Sequence, residues 1–185
     1  MRASTGRPLE DAQAVVDFWR AAQRNWFRKS LAFDQAFRER FLDLHLAAAR
    51  AELDAWKLVP AGSLALMILL DQFPRNAFRG TAHMYATDPL ARHYARQAET
   101  LGHMTQVEVA LRLFFCLPFA HSEDLADQDL SIALHTRLGE SLMFHAREHR
   151  DIILRFGRFP HRNRLLLRDT TAEEQIFLDA GGFAG

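Results

Sequence analysis

The sequence is short of several things, and each shortage removes a class of protein. It has one cysteine, Cys116, which excludes an intramolecular disulfide framework and a multi-cysteine metal site. Cys116 sits in the apolar run Leu113-Phe114-Phe115-Cys116-Leu117, a setting that predicts a buried, inert thiol. Long hydrophobic runs are missing too. The longest, Leu64 to Leu70, even extended back to Val59, falls far short of the roughly 20 residues that span a bilayer. Met1 to Pro8 carries no apolar signal-peptide core. The expectation is a cytoplasmic chain with no membrane contact.

There is no excess charge of either sign. Acids and bases balance at 23 each, so no global field marks the chain for nucleic acid. Lysine is nearly absent, at Lys29 and Lys57 only. Genomic composition bias accounts for most of the resulting arginine population. Single arginines can still offer a planar fork to a carboxylate or phosphate. Strand signals are lacking as well: nothing alternates at period two, and no Asn-Gly or Asp-Gly turn occurs.

What is present is apolar mass arranged at helical spacing. The 185 residues are 49% hydrophobic, with 15 Phe and 3 Trp, enough to build one globular domain over residues 1–185 with a real core. Pro8 starts a first helix with Val15, Trp19, Ala22 and Trp26 on one stripe. Ser30 can cap a second, with Phe33, Phe37, Phe41, Leu44 and Ala48 in line. Pro60 and Gly62 break the pattern. Ser63 to Phe73 is apolar nearly all round and predicts a helix buried on most sides. Pro74 to Thr87 reads as irregular.

Thr87-Asp88-Pro89 starts the next helix, with Leu90, Tyr94, Ala98 and Leu101 as its stripe and Gly102 as its end. Thr105 and Glu108 suggest a capping box for a mostly buried helix that Pro118 stops. Ser122 can cap a helix to about Leu138. Another runs from Glu140 to Phe156 and is closed by Gly157. Thr171 and Glu174 cap a last helix before the Gly-rich tail, Gly181 to Gly185. The architecture expected is all-α, about eight or nine helices packed as hairpins.

Four polar groups could carry chemistry. Asp71-Gln72-Phe73-Pro74-Arg75-Asn76 puts an acid, an amide, an arginine and an asparagine at the end of an apolar helix. His121-Ser122-Glu123-Asp124 lies at a loop-to-helix junction. Asp124 suits a first helical turn, whereas Glu123 lines up with Asp127, Leu130 and Leu134 and should point inward. An inward carboxylate needs a cationic or donor partner. Helix Glu140–Phe156 carries His145 and His149 four apart, both predicted on the apolar side. That is the spacing of a metal-binding pair. No third ligand is in sequence reach, so neither metal nor cofactor is expected. Arg155 to Arg168 is the most basic stretch and holds Arg158, His161, Arg162 and Asn163 around a stiff Phe159-Pro160. Phe73-Pro74-Arg75-Asn76 and Phe159-Pro160-His161-Arg162-Asn163 share a theme, although two instances do not make a repeat.

Taken in order, these strings resemble the bacterial domain of unknown function 924 family. They are Asp17-Phe18-Trp19, Trp26-Phe27, Phe33-Asp34, Leu70 to Asn76, Phe119 to Asp124, and Arg155 to Asn163. The resemblance runs from about Val15 to Leu178. It implies an all-α, tetratricopeptide-like helical fold and no activity. The segment between Trp19 and Trp26 is shorter than is usual for the family, and the tail Ala180 to Gly185 also departs from it.

Three readings of the polar groups stay open. One is a binding module for an anionic peptide or small molecule, with Asp71, Gln72, Arg75, Asn76, His121, Arg158, Arg162 and Asn163 as contacts. The second is an enzyme in which His149 or His161 is the acid–base group. There Glu123 would orient the imidazole, and Arg75, Arg158 and Arg162 would stabilise negative charge. The third is purely structural, with buried hydrogen bonds locking hairpins together. The sequence sets no oligomeric state.

Overall fold

The computed structural model describes residues 8–184. Met1 to Arg7, read above as carrying no signal-peptide core, and the tail's last residue, Gly185, lie outside the described residues. Every regular element among the described residues is helical, so the all-α expectation holds. No helix among them is long and apolar enough to cross a membrane. The chain divides into two compact units, one comprising the residues up to Arg79 together with His83–Pro118, the other Gly80–Ala82 and Phe119 onward.

In the first unit, α1 (Leu9–Ala21) begins at an extended Pro8 and carries Glu10 and Asp11 in its first turn, where the helix dipole favours acids. It ends sooner than the predicted stripe. A short 3-10 turn, Gln23–Asn25, brings Trp26 back instead, so that its indole N–H donates to the Trp19 carbonyl at 2.7 Å. α2 (Leu31–Ala49) is capped as expected, Ser30 Oγ accepting from the Phe33 N–H at 3.4 Å. Its predicted stripe of Phe33, Phe37, Phe41, Leu44 and Ala48 is buried. Phe18 of α1 stacks on Phe33 and Phe37 at 5.8 and 5.4 Å.

Pro60 starts a helix rather than breaking one. It occupies the first turn of α3 (Pro60–Met67), where a missing N–H costs nothing. Gly62 lies inside that helix because the Trp56 carbonyl packs against it, and a Cβ there would overlap that oxygen. Gly62→Ala is therefore expected to destabilise the first unit by about 1–3 kcal/mol. Urea denaturation followed by tryptophan fluorescence reads this, since Trp19, Trp26 and Trp56 all belong to this unit. An unchanged midpoint would mean the Trp56 backbone moves aside freely.

The buried helix expected over Ser63–Phe73 forms, with a π turn at Ile68–Gln72. It does not stop at Pro74 but continues as α4 (Phe73–Ala77). In the π turn the Phe73 N–H reaches back to the Ile68 carbonyl. Pro74 has no N–H, so it can serve neither the Leu69 nor the Leu70 carbonyl. Side chains serve them instead. His45 Nδ1 contacts the Leu69 oxygen at 2.9 Å, and the Thr87 hydroxyl donates to the Leu70 oxygen at 2.6 Å.

α5 (Asp88–Thr100) starts at Thr87 as predicted and ends at Gly102 in the left-handed region. Its buried stripe is Ala91, Tyr94, Ala95 and Ala98, while Leu101 is exposed. The Thr105–Glu108 capping box does not form. The Thr105 hydroxyl donates to the Gly102 carbonyl, and Glu108 pairs with Arg20 at 2.7 Å. The segment beyond is a 3-10 helix, Val109–Phe115. Cys116 is fully buried, as expected. Pro118 does not end a helix but lies within the short α6 (Leu117–Ala120).

In the second unit, α7 (Leu125–Thr136) is capped by Asp124, not Ser122: the Asp124 carboxylate accepts from the Ala126 and Asp127 N–H groups. Ser122 donates to the Asp127 carboxylate at 2.6 Å. α8 (Met143–Phe156) follows a 3-10 turn and closes at a left-handed Gly157. Arg150 pairs with Asp129, and Thr136 meets Met143, so α7 and α8 form an antiparallel hairpin. α9 (Ala172–Asp179) has the predicted capping box between Thr171 and Glu174.

Candidate functional site

The second unit assembles most of the predicted site residues. Its organiser is Gln128 of α7, fully buried, whose amide donates to the carbonyls of Ala120 and Ser122 at 2.9 and 2.7 Å. This fixes the loop that carries His121 and Glu123. Across the hairpin, His149 of α8 contacts the Ala120 carbonyl through Nδ1 at 3.1 Å. A carbonyl can only accept, so Nδ1 carries the proton and Nε2 presents a lone pair. His149 is 7% exposed, and Nε2 has no hydrogen-bond partner among the described residues. Burial, then the nearby His121, pushes its pKa down to about 3, so the imidazole is neutral at neutral pH.

Around that imidazole the Phe159–Asn163 segment supplies rings. Phe159 meets His149 edge-on at 5.4 Å, and His161 sits 5.6 Å from Phe159. The Arg162 guanidinium lies 4.5 Å over the Phe159 ring and donates to the His121 carbonyl at 2.9 Å. A residue from the tail, Phe183, closes the group. Its ring is 4.6 Å from His149 and 5.1 Å from His161, steeply inclined to both.

The charged members are already matched. Glu123 accepts from the Arg168 fork at 2.7 and 3.0 Å and from the Phe159 N–H at 2.8 Å. Burial works to raise its pKa, and Arg168 with the Phe159 N–H outweighs that and lowers it. Arg158 forks onto Glu174 at 2.6 and 2.8 Å. Asn163 reaches the same carboxylate at 3.2 Å. His145 is turned outward, 76% exposed and 3.5 Å from Glu148, because the α8 face toward α7 is set by Ala146, His149 and Ile153. The expectation that both histidines lie on the apolar side therefore holds for His149 and fails for His145. No group of three metal-ligating side chains occurs among the described residues.

Asp71, Gln72, Arg75 and Asn76 belong to the first unit and form a separate set. Arg75 forks onto Asp88 at 2.8 and 3.0 Å, and contacts Asp71 through both its carbonyl and its carboxylate at 2.7 and 3.1 Å. Burial alone would lower its pKa, yet Asp71 and Asp88 together raise it, so the charge is fixed. Gln72 donates to Asp71 at 2.6 Å. Asn76 donates to Asp34 at 3.1 Å, and Arg79 forks onto the same carboxylate. The two Phe-Pro strings thus share more than residue types. In each unit an asparagine and a forked arginine meet on one buried carboxylate, Asp34 or Glu174.

Several participants were absent from the sequence-based set, among them the partners Arg79, Arg168 and Glu174. Gln128 sits on a helix as an ordinary polar residue; Asp34 and Asp88 enter the sequence reading only as part of a family string and a helix start, and nothing local marks either as a partner of a distant side chain. Phe183 is a lone aromatic in a Gly-rich tail, without the neighbours that create periodicity.

A family model described as bacterial protein of unknown function (DUF924) matches residues 15–182. The chain belongs to this family. Among solved structures, this DUF924 chain resembles a protein of unknown function from Agrobacterium tumefaciens at 57% identity and a TM-score of 0.90, covering 93% of this chain and 98% of that one. No curated protein matches. The DUF924 family and this structural relative are both described only as being of unknown function.

Proposed function

We propose that this DUF924 chain is a small-molecule binding module whose ligand is a neutral hydrogen-bond donor seated on His149. The observation that carries the reading is the buried Nε2 lone pair of His149. An acceptor removed from water without a partner costs about 1–3 kcal/mol, which a ligand N–H or O–H would recover. An anion suits the place less well. It would face that lone pair, and Arg158 and Arg168 already hold carboxylates. An acid–base role also fits less well: an imidazole held near pKa 3 is a weak proton acceptor, its one N–H is committed to the Ala120 carbonyl, and Glu123 is engaged with Arg168. The α7–α8 hairpin supports a tetratricopeptide-like description, and a single buried cysteine suits a reducing cytoplasm.

The test is a screen of neutral polar metabolites against chain labelled with ¹⁵N at histidine. A true ligand shifts His149 Nε2 and loses at least about tenfold in affinity on His149→Phe. Hits that leave His149 unmoved, or that bind the variant equally, overturn the reading.

A further inference from the structure

The tail offers a sharper description of what His149 would bind, given that binding reading. α9 ends in a two-bond turn in which the Gly181 N–H donates to the Leu178 carbonyl at 3.1 Å and the Gly182 N–H to the Phe177 carbonyl at 3.0 Å. Gly181 takes the left-handed φ of +80° that this turn requires. Gly182 packs so closely on the Phe177 ring that a Cβ would collide with it. The chain is thereby turned back toward α8, and its next residue is Phe183.

Beyond that turn only one side chain holds the tail. Among the described residues, Phe183 and Ala184 make no hydrogen bond. The Phe183 ring, half-buried, is enclosed by three others: His149 at 4.6 Å and 66°, His161 at 5.1 Å and 78°, and Phe159 at 6.3 Å and 51°. Inclined rings at these separations are the favoured geometry for aromatic pairs. The enclosure is built for a fourth ring. Phenylalanine has no donor, however, and the buried His149 Nε2 has no hydrogen-bond partner among the described residues. Shape is satisfied and chemistry is not.

We propose that Phe183 occupies the ligand's place. The site takes a single aromatic ring bearing a hydroxyl or N–H donor, and the tail after Gly182 is a displaceable cover. In the bound state the ligand ring replaces the Phe183 ring among Phe159, His161 and His149, and its donor bonds to Nε2. The tail pivots at Gly182, where no side chain resists a change of ψ, so the two bonds of the turn stay intact. Binding is thus a competition between an external ring and an internal one, and the internal one lacks the hydrogen bond.

The experiment titrates the whole chain with phenol, with toluene (the ring without the donor) and with cyclohexanol (the donor without the aromatic ring). NMR follows the His149 imidazole and a fluorine-labelled ring at position 183. Phenol should saturate, shift His149 Nε2 and move the Phe183 signal to a solvent-exposed value. Toluene should bind about tenfold more weakly, the worth of one hydrogen bond. Phe183→Ala should bind phenol more tightly than the native chain, because the competitor is gone. Phe183→Leu, which keeps an apolar tail, guards against a variant that merely unfolds. Equal affinities for phenol and toluene, or phenol binding that leaves the Phe183 signal in place, overturn the proposal. If cyclohexanol shifts His149 and phenol does not, the aromatic class falls and the binding reading stands. If nothing shifts His149, both fall.

Discussion

Glu174→Ala should destabilise the second unit by roughly 1–3 kcal/mol, the loss expected when buried donors are left without their acceptor. Glu174 is 2% exposed and accepts from the Arg158 fork, from Asn163 and from the Thr171 N–H. Its loss strands an asparagine amide, a helix-capping N–H and a guanidinium in one place. Because all three tryptophans lie in the first unit, the measurement is amide hydrogen exchange at Ile152 and Ile153. A loss below about 1 kcal/mol would mean the clamp contributes little. The same group makes acid sensitivity predictable. Chiefly the Arg158 hydrogen bond lowers its pKa from 4.5 to about 2. A depressed carboxylate pKa stabilises fully above the unfolded value and loses that contribution as pH falls toward the folded one. Native chain should therefore lose protection between about pH 4.5 and 2, whereas Glu174→Gln should be flatter over that window.

The counterpart in the first unit is Arg75→Met, where the ion pair is more deeply buried and the expected cost is roughly 3–5 kcal/mol. Methionine fills the space and leaves the Asp71 and Asp88 carboxylates, both buried, without the guanidinium between them. Tryptophan fluorescence during urea unfolding reads the change. Arg75→Lys should recover only part of it, since a point charge cannot fork onto Asp88. Full recovery by lysine would show that charge, not two-point geometry, is what the site needs.

The helices were largely legible because their signals are local. The Phe33–Ala48 stripe repeats at helical spacing, and the Thr171–Glu174 capping box lies within four residues. Pro60 misled because proline reads alike as a breaker and as a first-turn residue; the neighbouring Gly62 suggested the former, although the Trp56 carbonyl had required it. His145 misled because a helical wheel gives an apolar side only to within about one residue, and α8 settles on Ala146, His149 and Ile153. The polar groups were legible as residues but not as partners. Asp34 meets Asn76 across 42 positions, and Glu123 meets Arg168 across 45. No spacing rule reaches that far. Phe183 was illegible for a different reason: its importance comes from where one glycine turn aims it.

The π turn at Ile68–Gln72 makes Pro74 and its two side-chain donors, His45 and Thr87, interdependent. A π turn holds one residue more than the α-helical turn it replaces, and each residue rotates the helix beyond it by about 100°. Deleting one residue there would restore a regular helix, but that helix would have to carry Pro74 in its interior, with the proline ring against the Leu70 carbonyl. Replacing Pro74 alone would return an N–H to a place where His45 and Thr87 already supply donors. The extra residue, the proline and the two distant donors are thus coupled, so that a change to one alters what the others have to satisfy.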